Sequence, residues 1–304
     1  MNRIFSLELL EEKKEEFGLR KIIDSNEFKY SQCLLPLALG VKTDGGKYVY
    51  DLTKMHNLLI AGSIYYTDNY DNVANIINNI LLSILYKVKL EEVELVLIDT
   101  VHQMYLYKNI SRFLYDCECE GIADIDNRTI NTLLRLVMIM ERRYHKYGSL
   151  YVRNIEEHNA KIVSENKDKY IVVIIGEFSC LIKNNSEMED LILKLSTFGK
   201  AVGIHLIFTI QNIDEDVITD KIRASFLSRL SFKTYSGKES KLILDCPGAE
   251  KLSIKRDMLF LPPTELKPIH LQCPYVSTKE VERVIKFLNK QKSLTNIKPI
   301  KKNL

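Results

Sequence analysis

Three runs, VELVLID (93–99), YIVVIIG (170–176) and GIHLIFTIQ (203–211), are apolar without the alternation of a half-exposed strand. Runs of that kind are the strands of a parallel sheet whose two faces are both covered by helices. NLLIAG (57–62), KYVYDL (47–52) and SRLSFKTY (228–235) add further strand-like runs. Helical patterns fall between them near residues 71–87, 127–147, 151–163, 187–199, 215–225 and 238–245. The expectation is an α/β chain with a mainly parallel central sheet and helices on both faces. DMLFLPP (257–263) and KPIHLQCPYV (267–276) read as a late hairpin turned at Pro262-Pro263. Residues 1–34 read as a charged, short helical lead-in, 35–290 as the main domain and 291–304 as a basic tail.

Ligands of an open α/β sheet bind outside the carboxyl ends of its strands. Those ends are Gly62, Asp99, Gly176-Glu177 and Gln211. Gly62 opens a strand–turn–helix passage, NLLIAGSIYYTDNYDNVANIINNILLSILYK (57–87), which is the frame that normally cradles a phosphate. Yet Gly62 is the passage's single glycine, and no Lys or Arg stands between Lys54 and Lys87.

Bulk properties narrow the field further. The chain is 46% hydrophobic with a net charge of +3, so total charge does not announce a nucleic-acid binder. Its apolar runs fall short of a membrane span, and the N-terminus carries no signal-peptide pattern. Six scattered cysteines fit a reducing cytoplasm, and the lone Cys117-x-Cys119 pair is a weak metal signal. The six histidines show no ligand-like spacing, so no metal is assigned.

In order along the chain, LPLALG, DLTKMHNLLIAG, MERRYHKYGSLYVRNIEEHNAKI, YIVVIIGEF, AVGIHLIFTIQ, DVITDKIRASFLSRLSF, KLILDCPGAEKLSIKRDMLFLPP and YVSTKEVERVIKFL resemble the motor domain of the FtsK/SpoIIIE DNA translocases. The resemblance covers about Leu35 to Leu288. It implies a RecA-like P-loop NTPase fold, ATP and Mg²⁺ as the family's cofactors, and hexameric rings on double-stranded DNA. It also implies homo- or hetero-oligomers with FtsK/SpoIIIE-like subunits. The family's membrane-spanning N-terminal region and its winged-helix domain have no counterpart in these residues. DNA contact is therefore expected to be to the backbone and not sequence-selective.

The departures lie at the chemistry. A Walker A loop needs glycines, a Lys and a Ser/Thr. Aligned through its helix, this chain has Val73 at the Lys position and Ala74 at the hydroxyl position, beyond Ala61-Gly62 and a loop a few residues longer than the family's. Asn69 and Asn72 tolerate left-handed turns. Asp68 and Asp71 bring negative charge, each costing roughly 3 kcal/mol against a phosphate at about 5 Å and an effective dielectric near 20. The lost Lys contact adds ~1.5–3 kcal/mol. At the Walker B position Gly176 replaces the Asp, while Glu177 is retained. Gln211 keeps a sensor-like position, Asn212 replaces the usual Arg, and Thr100-Val101 replace Pro-Lys.

Resemblance assigns Arg229 to a subunit interface; its plain reading is a structural ion pair. Glu177 reads equally as a vestigial solvated carboxylate, Gln211 as a partner for neighbouring backbone, and Asp99 as a loop cap. The Tyr65-Tyr66-Tyr70 cluster reads as packing over the strand end, or as a stacking surface. The expectation is a pseudo-ATPase without cofactor that serves a DNA-translocation assembly. The alternatives are an active translocase with a non-standard phosphate site, supplied with cations by Lys255-Arg256, and a component of a secretion or conjugation system.

Overall fold

The computed structural model describes residues 18–295 apart from 56, 90, 111–113, 119–124, 164–165, 183–184 and 254. Among the described residues ten strands form one sheet, β1 Pro36–Lys42, β2 Lys47–Asp51, β3 Leu58–Ala61, β4 Val93–Asp99, β5 Leu114–Glu118, β6 Tyr170–Gly176, β7 Ile204–Ile210, β8 Ser228–Ser231, β9 Asp257–Leu261 and β10 Ile269–Gln272. Their order is β2-β1-β10-β9-β8-β3-β7-β6-β4-β5. From β8 through β5 every pairing is parallel. The hairpin β9–β10 and the pair β1–β2 continue the sheet antiparallel.

The non-alternating runs are where burial is complete: every residue of β6 and β7 is buried. From β3, helix Thr67–Lys87 crosses past β7 and β6 to reach β4. Helices Ile125–Ser149 and Ser186–Phe198 belong to crossovers that run the other way along the sheet and pack on one another. Right-handed crossovers of opposite direction put their helices on opposite faces. Residues 19–29 form two short turns of helix whose Leu19, Ile22 and Phe28 lie in the main core.

Helix Thr67–Lys87 is held by its buried polar residues as well as by its apolar stripe of Val73, Ile76, Ile77, Ile80 and Leu81. Asn75 donates to the Pro274 carbonyl at 2.7 Å and accepts from the Val276 N–H at 2.8 Å. Ser83 accepts from the Ala38 N–H at 3.1 Å, which ties the helix to β1.

The MERRYHKYGSLYVRNIEEHNAKI passage is architectural. Arg143 is buried and donates to the carbonyls of Val202 at 2.6 Å and Lys169 at 2.9 Å. Asn154 caps helix Ile155–Lys161 by accepting from the Glu157 N–H. Gly203 has φ +79°, and a Cβ there would stand 2.4 Å from Ile155 Cδ1. Only glycine fits that turn.

Strand β5 has no counterpart among the expected runs. It carries Cys117, whereas Cys119 lies outside the described residues. Among the described residues no helix is long and apolar enough to cross a membrane.

Candidate functional site

The four strand ends singled out in the sequence do come together, because β3, β7, β6 and β4 are consecutive in the sheet. The segment after Gly62 is not a longer loop. The turn spans only residues 62–66, and the helix starts at Thr67, so the extra residues are wound onto its N-terminus. Val73 is therefore six residues inside the helix, roughly 9 Å from its start at ~1.5 Å per residue, and fully buried in the core. Ala74 follows it, half-buried. Counted from the strand instead, the G-K-S/T places of GxxxxGK[ST] fall on Thr67, Asp68 and Asn69. The position of the phosphate-binding cation is then occupied by an exposed carboxylate, Asp68, in the first helical turn. That charge suits a helix N-terminus and opposes a bound anion.

Four of the turn's five backbone N–H groups are already engaged. Gly62 N–H donates to the Ile210 carbonyl at 3.1 Å, Ser63 N–H to Lys233 at 3.2 Å, Ile64 N–H to Gln211 at 2.9 Å and Tyr66 N–H to Ser63 at 3.2 Å. Ala61, at the end of β3, accepts from Phe232 N–H at 2.8 Å. The turn thus lies across the ends of β7 and β8, whereas a phosphate cradle needs its N–H groups pointing into open space.

Glu177 is 7% exposed rather than solvated, with φ +43°, a left-handed conformation that is strained for Glu. One carboxylate oxygen accepts from the Ser179 hydroxyl and the other from the Gln211 N–H at 2.8 Å. Its own N–H donates to Thr209 Oγ1 at 2.9 Å. Burial pushes its pKa above the ordinary value, against the opposing pull of those hydrogen bonds. Gln211 serves through its backbone, donating to Glu177 and accepting from Ile64.

At Gly176 a Cβ would meet Asp99 Oδ1 at an ordinary 3.6 Å, so space does not exclude a side chain there. Asp99 caps the following loop, accepting from the N–H groups of Gln103 at 2.9 Å and Met104 at 2.8 Å. Burial raises its pKa as well.

Arg229 and Arg256 are both bonded within the chain. Arg229 is buried on β8 and makes four hydrogen bonds inside its own chain, to the carbonyls of Phe226, Ile243 and Arg223 and to Asp245 at 2.6 Å. It is an internal staple, the structural ion pair of its plain reading. Arg256 donates to the Cys273 carbonyl at 3.3 Å and lies 5.7 Å from the Tyr275 ring centre. The cation that does come to the turn is Lys233, which the motif pattern did not single out. Its ammonium is 5.5 Å from the Tyr66 ring centre and donates to the carbonyls of Glu250 at 3.0 Å and Leu252 at 2.7 Å. Position alone identifies it, two residues past the end of β8 beside β3.

The FtsK/SpoIIIE family profile matches residues 18–215. The chain belongs to the FtsK/SpoIIIE family. This FtsK/SpoIIIE chain is 37% identical over 289 residues to a DNA translocase FtsK of Caldanaerobacter subterraneus, covering 94% of this chain and 39% of that protein. It is 35% identical to the Borreliella burgdorferi DNA translocase FtsK, covering 93% of this chain and 36% of that one. It thus spans well under half the length of the curated relatives it matches.

Among solved structures, the pCW3 conjugation coupling protein TcpA superposes with TM-score 0.72 at 19% identity, over 88% of this chain and 73% of that one. The cytoplasmic domain of the Thermomonospora curvata Type VII secretion ATPase EccC gives 0.73 at 17%, over 89% and 34%. These likenesses establish the fold, that of the P-loop ATPases.

The family implies ATP and Mg²⁺ for this strand–turn–helix. The residues present do not fit them: four of the turn's five N–H groups are bonded within the fold, Asp68 stands at the cation's place and Glu177 is tied to Ser179 and Gln211. Among the described residues no cluster of three or more His, Cys, Asp or Glu is placed to hold a metal.

Proposed function

We propose that this is an FtsK/SpoIIIE motor fold that neither binds nor hydrolyses ATP and acts as a structural or regulatory partner in a DNA-translocation assembly. The observation that carries the reading is the engagement of the N–H groups of Gly62, Ser63, Ile64 and Tyr66 by carbonyls of the same chain. A triphosphate seated in the turn would compete with those bonds and face Asp68. Each broken bond costs about 1 kcal/mol and the unfavourable charge several more, which removes affinity by orders of magnitude. The DNA-translocation setting rests on the names of its 35–37% identical relatives. Duplex DNA, if touched, is met through its backbone.

The test is ATPase turnover with and without duplex DNA, alone and mixed with an intact FtsK-type motor. The inert reading expects none from the chain alone and an altered rate in the mixture. DNA-stimulated turnover by the purified chain, abolished by Glu177→Gln, contradicts it. That outcome belongs to the second reading, an active translocase with a non-standard phosphate site, which Lys233 beside the turn favours. A role in secretion or conjugation has only the fold in its support, through TcpA and EccC.

A further inference from the structure

The surface over the turn carries exposed aromatic rings. Tyr65 and Tyr235 are 70% and 63% exposed, and their ring centres are 4.8 Å apart. Ile64, 60% exposed, continues the apolar patch. Rings from chain positions so far apart, held together in the open, form a preassembled surface rather than a stray hydrophobe. Beside it a cleft of about 290 Å³ opens between the loop after β7 and the start of helix Gly237–Leu244. Asp214, Glu215 and Glu239 line it, and Glu239 joins it to the aromatic pair by accepting from the Tyr235 N–H at 2.9 Å. The cleft's lysine, Lys238, is paired with Glu215 at 3.1 Å, which leaves Asp214 and neighbouring Asp216 as exposed negative charge. In the helix that follows Tyr65, Asp68 and Asp71 are exposed one turn apart.

The chain's net charge is +3, so this concentration of carboxylates runs against its overall sign. Negative charge around an aromatic face repels phosphate and attracts a cation that also stacks. Of the basic side chains, arginine fits best. Its planar guanidinium lies on an aromatic ring while its N–H groups reach carboxylates, and the cleft has room for such a side chain.

We infer that the tyrosine pair and the adjoining acidic cleft form a docking site for an arginine-bearing, partly apolar segment of a partner protein. The inference rests on the reading that no nucleotide occupies this end of the sheet. It gives the proposed partner role a location and a chemistry.

The probe is a fluorescein-labelled peptide of alternating Arg and Leu, read by anisotropy against the full chain. Its controls carry neutral citrulline or Glu in place of Arg. The expected result is saturable binding, about tenfold weaker for the citrulline peptide and absent for the Glu peptide. Tyr65→Ala and Tyr235→Ala each weaken it about tenfold, whereas Tyr235→Phe keeps it. Asp214→Asn weakens it as well. All these side chains are exposed, so the variants are expected to fold, and circular dichroism verifies that they do. Absence of binding, equal binding of the citrulline peptide, or indifference to the tyrosine substitutions overturns the site. Competition by duplex DNA does so too, as does self-association that Tyr65→Ala abolishes, which would make a second copy the occupant. ATP binding measured separately tests the inert reading, so either idea can fail while the other stands.

Discussion

Glu177, just past the end of β6, is bonded to its own chain through both carboxylate oxygens. Its carboxylate clamps the end of β6 to Gln211 at the end of β7, and burial makes the ionised form costly. Because its folded pKa lies above the unfolded value, the folded state holds the proton more tightly between the two. Its contribution to stability is therefore largest below the unfolded pKa and declines as pH rises toward the folded one. Urea unfolding of the parent and of Glu177→Gln at about pH 5 and about pH 7 reads this directly. The parent's stability relative to the variant is expected to be greater at the lower pH; the opposite trend would mean the carboxylate is favoured charged. Asp68 offers a second test. Replacing Asp68 with Lys restores a cation at the strand-anchored position but leaves the turn's N–H groups engaged. Calorimetry is expected to show no gain of ATP affinity, and micromolar binding would show that charge alone had closed the site.

Among the elements, the staple on β8 and the glycine turn before β7 are the parts least able to tolerate change. Arg229→Met leaves three carbonyls without their donor while the exposed Asp245 keeps Arg223 at 3.8 Å, and a loss of about 1–3 kcal/mol is expected. Unchanged stability with lost assembly would return Arg229 to the interface role its place in the sequence suggested. Gly203→Ala forces a Cβ onto Ile155 at a positive φ, and an unfolding loss of roughly 2 kcal/mol or more is expected. Elements of this kind were only partly legible beforehand. The continuous apolar runs announced β4, β6 and β7, and the prolines announced the β9–β10 hairpin, because burial on both faces and turn chemistry are local signals. The start of helix Thr67–Lys87 was not legible. Its first four residues, TDNY, carry no apolar stripe, so periodicity began the helix later and left a longer loop in their place. Strand β5 escaped as a short edge strand in a polar surround.

At the scale of the molecule, the fold is that of the family. The sheet order brings Gly62, Gln211, Glu177 and Asp99 to one edge, as expected of a P-loop ATPase. The ancestry was readable from motif order because core strands tolerate little change. The closure of the site was not, since it depends on bonds between residues as far apart as Ser63 and Lys233, and the tyrosine pair spans a similar separation. Asp68 could have been found by counting from the strand rather than from the helix. For DNA, a chain with net charge +3 and an acidic edge is expected to bind duplex weakly and with steep salt dependence. Filter binding across a salt series reads this, and tight, sequence-selective retention would contradict it. The most direct measurement is isothermal calorimetry of the full chain titrated with a slowly hydrolysed ATP analogue and Mg²⁺. A closed turn gives no heat beyond dilution up to millimolar nucleotide; a saturable isotherm with micromolar affinity would mean that the turn opens and that the site is alive.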